Sequence, residues 1–493
     1  METIHSIRPL LAILASLFAI PFIVGFSRRP AMREFWTFAA AGSKFLIIVS
    51  MLPLVLTGRR VTCTIFEIIP GVPLQLTVDT LGLLFALVSS SLWILTSIYS
   101  VGYMRGLGEH SQTRYFCFFA VALSATIGVA FSANLLTLYI FYEILSLATY
   151  PLVTHHQDEE ARSSGRRYLA YILGSSIGLF LPAMLISYHL AGTLTFSASG
   201  FLGASISRKV LMILLIMFVF GAAKAAVMPL HAWLPAAMVA PTPVSALLHA
   251  VAVVKVGVFV IIRIITGVFG VNLLKSLSLT TPVIVLACIT ILCGSLIALS
   301  QDNLKRLLAY STISQLSYIV LGVSLLSQRG LTGAFIHIPM HAFGKITLFF
   351  CAGAIFVATG KKNISEMKGL GRQMPITMAA FFIASLSIIG LPPCGGFLSK
   401  WNLVLGSIEA HRPLVLVVLL FSSLLNAGYF MPVVYKAFFL KTESGVAVVK
   451  EAPLCCLIPL CLTAIFSIIF LFYPQPFYEL ISHALKCIIG AGV

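Results

Sequence analysis

Residues 220–235 read FGAAKAAVMPLHAWLP, and this stretch decides the fold class that the sequence predicts. It follows the apolar run LMILLIMFVF and contains Lys224 and the helix-breaking Pro229. A charged side chain at the centre of a bilayer costs about 2.5–3.5 kcal/mol on insertion scales. Irregular backbone at membrane depth is tolerated only beside protein or a water-filled cavity. The stretch therefore predicts a membrane helix broken at a hydrated position, where a charge can be moved.

The composition agrees with a chain that lipid solvates. Of its 493 residues, 59% are apolar and only 10% are charged, whereas about a quarter of a soluble domain is charged. The net charge of +17 would suggest a nucleic-acid partner for a soluble protein. Here the cations fall in short loops, where they act as topology signals, and we predict no nucleic-acid binding.

The ten cysteines are scattered, and none forms a CxxC pair. The ligand spacing of iron–sulfur clusters, zinc sites and disulfide frameworks is therefore missing. The sequence predicts neither a cofactor-binding site nor a metal site in this chain.

Apolar runs of about 20 residues, the length that crosses the hydrocarbon as a helix, recur along the whole chain. They cover 9–26, 36–57, 79–103, 115–132, 134–154, 168–191, 210–230, 243–269, 282–300, 307–327, 331–358, 374–408, 413–439 and 453–473. They predict one all-α polytopic membrane domain, 1–493, with about fourteen spans. Residues 58–77 alternate in polarity around Pro70-Gly71, which indicates a small hairpin.

Basic residues set the predicted orientation. Seventeen lie in loops after odd-numbered spans, and nine lie on the opposite side. By the positive-inside rule the first group faces the cytoplasm, so both termini face the outer side of the cell (inner) membrane.

Eight charged residues fall within or at the entrance of predicted spans. They are Lys44, Asp79, Glu143, Lys224, Lys255, Arg263, Lys345 and Lys400. Lys44 and Arg263 lie near span ends and are expected to snorkel to the interface. Glu143, Lys224, Lys255 and Lys400 lie too deep for that. They are expected to face a protein interior with water or partners.

A buried lysine tends to lose its proton, whereas a nearby carboxylate restores the charged form. Such a group is toggled when its partner or another proton moves, and this is what a proton relay requires. We predict that Glu143 and Lys224 form such a pair. A pair that only fixes helix packing is the alternative.

Histidines extend the pattern. His337, His341 and Lys345 are spaced i, i+4, i+8, and they form one stripe along a helix. Neutral histidine both donates and accepts a hydrogen bond, which favours a relay over a zinc site because no nearby acid or cysteine completes the ligands. His249 lies six residues before Lys255, and we expect it to bridge toward the helix of Lys224.

The stretch LPPCGGFLSKW, residues 391–401, breaks span twelve as Pro229 breaks span seven. Each break comes with a lysine, Lys400 in the second case. Interrupted segments at matching positions of two halves point to inverted repeats, and an offset of five spans reverses the orientation of the second half.

Two longer motifs carry a family resemblance. The stretches PLHAWLPAAMVAPTPVSALLHA (229–250) and QDNLKRLLAYSTISQLSYIV (301–320) resemble the antiporter-like subunits shared by respiratory complex I, membrane-bound hydrogenases and Mrp-type cation/proton antiporters. The resemblance runs from about Asp79 to about Tyr435. It implies fourteen helices: three in 1–112, inverted five-helix repeats in 113–270 (spans 4–8) and 281–440 (spans 9–13), and a C-terminal helix in 450–493.

The same resemblance implies a proton path along a central polar axis and gives residues their roles. Glu143 resembles the carboxylate of span five, Lys224 its lysine partner, Lys255 the connecting lysine and Lys400 the terminal lysine. His249, His337 and His341 resemble bridging histidines. Asp302 and Lys305, in the second motif, are expected to be structural.

The stretch GFLSKWNL (396–403) and the chain length look most like the D-type subunit of an Mrp antiporter, although Tyr142-Glu143 replaces the family's usual WE pair. We therefore expect a subunit that exchanges Na⁺ for protons beside homologous membrane subunits. A proton-pumping subunit of a redox complex, such as complex I or an energy-converting hydrogenase, is the alternative. A stand-alone solute carrier is a third reading, disfavoured because no substrate pocket is visible. No redox motif occurs in this chain, so any electron chemistry would belong to partner subunits.

Overall fold

The structure, a computed structural model, describes residues 3–441 and 450–490. Within that part, the side chains of residues 248–250 are not described. This range includes the side chain of His249, although its helix is described.

The N-terminal part combines long helices with a small sheet. Its elements are β1 (Thr3–His5), α1 (Arg8–Gly25), α2 (Pro30–Val49), α3 (Leu52–Leu56), β2 (Arg60–Ile69), β3 (Val72–Val78) and α4 (Thr80–Gly106). Strand β2 pairs antiparallel with β3 and parallel with β1. The hairpin turns at Gly71, whose φ of +80° suits glycine. The predicted hairpin is confirmed, and the fold is helical with one three-stranded sheet rather than purely α.

The middle of the chain is more interrupted. It contains α5 (Gln112–Ala130), α6 (Leu135–Val153), α7 (Glu159–Ser175), α8 (Leu181–Ala191), α9 (Arg208–Gly221), α10 (Trp233–Ala236), α11 (Thr242–Ala250), α12 (Val253–Arg263) and α13 (Val271–Ser276). The π-helical turn Ser176–Phe180 joins α7 to α8, and a second one, Ile264–Phe269, follows α12.

The last part is again mostly long helices. It contains α14 (Thr281–Leu299), α15 (Leu304–Ser324), α16 (Gln328–Thr359), α17 (Leu370–Gln373), α18 (Pro375–Ile389), α19 (Gly396–Glu409), α20 (Pro413–Phe439), α21 (Leu454–Phe472) and α22 (Gln475–Ile489). The C-terminal segment therefore holds two helices rather than the one predicted. The second is tied to the bundle where Asn402 Nδ2 donates to Tyr478 Oη at 2.9 Å.

Eleven helices in the described residues are long and apolar enough to cross a membrane. Several of the shorter helices come from interrupted segments, and these are α9, α11, α12, α18 and α19. The interruption between α18 and α19 lies where the sequence predicts it, whereas the one after α9 lies in the predicted span but begins before Pro229. A third, between α11 and α12, was not predicted.

The first interruption begins earlier than expected. Helix α9 ends at Gly221, eight residues before Pro229, and Lys224 lies in the 3-10 turn Ala223–Ala225. At Gly221 the chain lies directly against another backbone, since a Cβ there would be 2.6 Å from the nitrogen of Phe180. The prediction that Pro229 breaks the helix is therefore wrong in position. The helix already ends at Gly221, where the chain packs closely against Phe180 and enters the turn that carries Lys224.

Lys44 corrects a second expectation. Its side chain is fully buried, donates to Ser16 Oγ at 2.7 Å and lies 4.8 Å from the centre of the Trp93 ring. It does not snorkel, because its stem points between helices rather than along a lipid-facing surface. Arg263 is also mostly buried and pairs with the carboxylate of Asp79, its Nη2 lying 2.7 Å from Oδ1.

Candidate functional site

Lys224 lies at the first helix interruption, and its ammonium faces α6. It donates to the carbonyl oxygen of Tyr142 at 2.7 Å and to Ser146 Oγ at 2.6 Å. The same ammonium lies 3.1 Å from the centre of the Tyr142 ring. The side chain is fully buried, so these contacts replace water around the charge.

Glu143 follows Tyr142 in α6, and Ser146 lies one turn further along the same helix. Both carboxylate oxygens of Glu143 are buried and have no hydrogen-bond partner among the described residues. Lys224 therefore contacts the stretch of α6 that carries Glu143, but the two side chains make no direct hydrogen bond. Their pairing stays a prediction.

Lys255 is carried by α12, which packs on the segment of Lys224. Its Nζ is buried and has no hydrogen-bond partner among the described residues. Two residues later, Gly257 lies against the 3-10 turn, where a Cβ would be 2.1 Å from the nitrogen of Ala225. Lys224 and Lys255 therefore lie on two segments, the 3-10 turn and α12, whose backbones are in direct contact.

This contact predicts that Gly257→Ala displaces the turn that carries Lys224. Overpacking of this kind typically costs about 1–3 kcal/mol, and we expect a lower unfolding temperature together with reduced transport. Gly174→Ala is the matched control, since Gly174 is helical and nothing lies within 4 Å of the added Cβ. Thermal unfolding of both purified variants checks the prediction. Equal unfolding temperatures would contradict it.

Helix α16 carries His337, His341 and Lys345, and all three side chains are buried. The two imidazole rings stack with centroids 5.4 Å apart. His337 Nδ1 lies 2.8 Å from Ser399 Oγ, which ties the stripe to α19. Lys345 Nζ donates to the carbonyl oxygen of Leu308 at 3.2 Å.

Lys400 lies in the first turn and a half of α19, directly after the second interruption. Its Nζ donates to the carbonyl oxygen of Ile389 at 3.0 Å and to Ser423 Oγ at 3.2 Å. With its amide oxygen turned toward Lys400, Asn426 accepts a third bond at 2.9 Å. Glycine is required beside it, because a Cβ at Gly390 would lie 2.5 Å from the Lys400 side chain.

The structure brings His337, His341 and Lys400 together in the second half of the chain. The Tyr318 ring links two of them, since its centre lies 5.8 Å from that of the His337 ring and 4.8 Å from Lys400 Nζ. Three of the four imidazole nitrogens, His337 Nε2 and both of His341, are buried without a hydrogen-bond partner among the described residues. Buried polar atoms of this kind are normally satisfied by protein or water. Neutral imidazoles in this position can donate and accept hydrogen bonds, as a relay requires, and their role in proton transfer stays a prediction.

Sequence reasoning missed the side chains that hold the lysines in place. These are Ser146 for Lys224, and Ser423 and Asn426 for Lys400. The sequence gives a weak indication of Ser423 and Asn426, since the stretch FSSLLNAGYF (421–430) places three polar residues, Ser422, Ser423 and Asn426, inside an otherwise apolar span. The carbonyl oxygens of Tyr142 and Ile389 have no sequence signal, because every residue carries one.

The family described as "NADH:quinone oxidoreductase/Mrp antiporter, TM" matches residues 132–426, which is more than half of the chain. The chain belongs to this family. The match spans Glu143, both interruptions and every lysine and histidine of the candidate site. The chain is accordingly a multi-pass membrane protein of the antiporter-like type.

Individual relatives come from both branches of the family. NADH-quinone oxidoreductase subunit N of Desulforudis audaxviator is 36% identical over 69% of this chain and 68% of its own length. The A-type subunit of the Na(+)/H(+) antiporter of Alkalihalophilus pseudofirmus is 31% identical over 99% of this chain and 63% of its own length. NADH-quinone oxidoreductase subunit L of Mycobacterium tuberculosis is 34% identical, and the match spans 58% of that relative.

Solved structures agree on the fold. A chain of the Mrp complex from Dietzia sp. DQ12-45-1b superposes with a TM-score of 0.87 at 22% identity, covering 98% of this chain and 97% of that one. A chain of the membrane-bound sulfane sulfur reductase, an archaeal respiratory membrane complex, superposes with a TM-score of 0.88 at 26% identity, covering 98% of both chains.

Proposed function

We propose that this chain is the proton-translocating subunit of a multisubunit Na⁺/proton antiporter of the Mrp type, in the position of its D-type subunit. One observation carries the proposal. Five ionisable side chains on the segments from the first interruption to the second are all buried, and they are Lys224, Lys255, His337, His341 and Lys400. A charge in that position is costly, so ionisable groups there mark ion or substrate pathways. Glu143 is proposed to control the proton on Lys224.

Proton movement along this series requires water between groups that are not in direct contact. The unpartnered oxygens of Glu143 and the unpartnered Nζ of Lys255, as seen among the described residues, mark the places where water would bridge. A carboxylate approaching Lys224 favours its charged form, and its withdrawal favours release of the proton toward Lys255. His341 and His337 would then pass the proton to Lys400.

Inverted repeats are part of the proposal, and a pair of matching backbone bridges supports them. Asn134 caps α6 and pairs with Thr195, four residues beyond the end of α8. Asn303 caps α15 and pairs with Asn363, four residues beyond the end of α16.

The hydrogen bonds around these bridges match as well. The backbone amide of Leu135 donates to the carbonyl oxygen of Leu194 at 3.0 Å. The backbone amide of Leu304 donates to the carbonyl oxygen of Lys362 at 3.1 Å. By the predicted orientation the two bridges lie on opposite sides of the membrane. This is the relation expected between spans 4–8 in 113–270 and spans 9–13 in 281–440.

We further propose fourteen spans, a location in the cell (inner) membrane and both termini on the outer side. Eleven long helices account for most of the spans. The interrupted pairs α11–α12 and α18–α19, together with α9, would supply the other three. Cysteine accessibility at exposed loop positions on each side tests this topology, and labelling of residues 107–111 from outside would contradict it.

A proton-pumping subunit of a redox complex is the second candidate, and the 36% identity to a subunit N of NADH-quinone oxidoreductase favours it. The proton path would be the same, while the energy would come from partner subunits. Purification of the tagged chain from its native membrane separates the two. Co-purifying small membrane subunits indicate an antiporter, and iron–sulfur subunits indicate a redox complex.

Dependence on other subunits is a testable consequence of either candidate. The purified chain alone, reconstituted in liposomes, is expected to support little or no cation/proton exchange, because the family resemblance implies that the chain works beside homologous subunits. Fluorescence of a pH-sensitive dye inside the liposomes measures the exchange, with the intact complex as the positive control. Robust exchange by the single chain would favour a stand-alone carrier.

A further inference from the structure

A cluster of metal-ligating side chains lies outside the proposed proton path. Glu109 and His110 come from the loop between α4 and α5, and His155 and His156 from the loop after α6. The Oε2 atom of Glu109 lies 3.9 Å from His110 Nδ1, 3.9 Å from His155 Nε2 and 3.7 Å from His156 Nδ1. One carboxylate oxygen is thus central to three imidazole rings.

These distances fit a bound ion better than hydrogen bonds, which end at about 3.5 Å. One ligand atom each from Glu109, His110 and His156 lies within 4.8 Å of the other two. A zinc ion with bonds of about 2.0–2.1 Å holds tetrahedral ligand atoms about 3.3–3.4 Å apart. Small side-chain rotations would close the cluster to that size, since the side chains of His110 and His156 are 51% and 34% exposed.

His155 gives an independent indication of a ligand. Its side chain is fully buried, and neither ring nitrogen makes a hydrogen bond of standard geometry among the described residues, although the ring faces the backbone of His110. Its backbone is fixed, because Arg114 Nη2 donates to the carbonyl oxygen of His155 at 2.7 Å. An unpartnered imidazole in a buried position is unfavourable, and a metal bond to Nε2 would satisfy it.

We propose that Glu109, His110, His155 and His156 bind one Zn²⁺ ion. Imidazole nitrogens favour Zn²⁺ and related transition metals, whereas Ca²⁺ and Mg²⁺ prefer oxygen ligands. Three neutral histidines and one carboxylate form a tetrahedral set of the kind zinc prefers. Sequence reasoning missed the set because it joins two loops that are far apart in the chain.

The position suggests what the ion does. Glu109 and His156 also line a cavity of about 1040 Å³ that opens between these loops and the segments around Lys305 and Lys362. By the predicted orientation this is the cytoplasmic side. Bound Zn²⁺ would join the end of α4 to the end of α6, the helix that carries Glu143. It would also place a positive charge at the cavity rim.

The test uses the full-length, tag-free chain purified in detergent and ZnCl₂ alone as the probe. Competition with a chromogenic chelator is expected to give one high-affinity ion per chain. His110→Ala and His156→Ala, made separately, are expected to weaken binding by at least about 100-fold, since even outer-shell changes cost 10–100-fold. His189→Ala, an exposed histidine on α8, is the matched control and should bind as the unmodified chain does.

Two further readouts distinguish this site from adventitious binding. Co²⁺ is expected to show the intense visible absorption of tetrahedral coordination, lost in His156→Ala. Saturating Zn²⁺ is expected to raise the unfolding temperature of the unmodified chain and of His189→Ala, but not of His110→Ala. Undiminished zinc affinity in both loop variants, or no binding by the unmodified chain, would overturn the proposal. Neither outcome bears on proton translocation, because no residue of the proposed path is changed.

Discussion

Replacing Glu143 by alanine is expected to reduce cation/proton exchange by at least about 100-fold, the lower end of what a proton-transfer group contributes. The variant removes the carboxylate next to the Tyr142 carbonyl that holds the Lys224 ammonium at 2.7 Å. Without a nearby negative charge, the buried lysine loses the group that favours its protonated form. The complex itself should assemble normally, because the carboxylate oxygens make no hydrogen bond in the described part of the chain.

Glu143→Asp keeps the ionisable group on a shorter stem and should retain part of the activity. Glu479→Ala, on the exposed face of α22, removes an acid of the same type and should exchange like the unmodified chain. Dye fluorescence in vesicles with matched amounts of each variant measures all three. Full exchange by Glu143→Ala would exclude Glu143 from the path, whichever complex the chain belongs to.

Lys400→Arg is expected to lower turnover by at least about tenfold. Arginine stays protonated at every accessible pH, so it cannot release a proton at the end of the path. The site is also narrow, since Gly390 lies directly against the lysine stem and three oxygens surround Nζ. A guanidinium would have to displace them.

Two comparisons separate proton release from a steric effect. Lys400→Glu keeps an ionisable group of smaller size and should preserve some exchange, which a fixed structural cation would not allow. Lys209→Arg, an exposed conservative change in the first turn of α9, should have no effect. If Lys400→Arg turns over like the unmodified chain at equal membrane abundance, Lys400 is a fixed charge and the path ends elsewhere.

Whether a segment forms a helix or a strand was predictable where the length and polarity pattern of the segment allow only one of them. The long helices and the hairpin at Pro70-Gly71 follow from apolar runs and from strict alternation. The interruption between α18 and α19 follows from LPPCGG. The interruption between α11 and α12 was not predictable, since HAVAVVK contains neither glycine nor proline.

Contacts between helices were much less predictable. Lys44 lies close enough to a helix end to suggest snorkelling, yet three-dimensional packing places Ser16 and Trp93 around it. The partners of Lys224 are a backbone carbonyl and a serine of α6, and neither choice has a pattern in one sequence. The lysines themselves were identifiable, because a charge inside an apolar run is rare and costly.

Lys255→Met gives the most direct test of the central claim that buried ionisable side chains carry protons between the two interruptions. Lys255 Nζ has no hydrogen-bond partner among the described residues, so methionine removes the ionisable group while keeping most of the packing volume. Burial of a charge is costly, and the variant should therefore unfold at the same or a higher temperature. The measurement is proton movement into vesicles that contain the assembled complex. The proposed path predicts that Lys255→Met assembles normally and moves almost no protons, whereas a rate equal to that of the unmodified complex would contradict it.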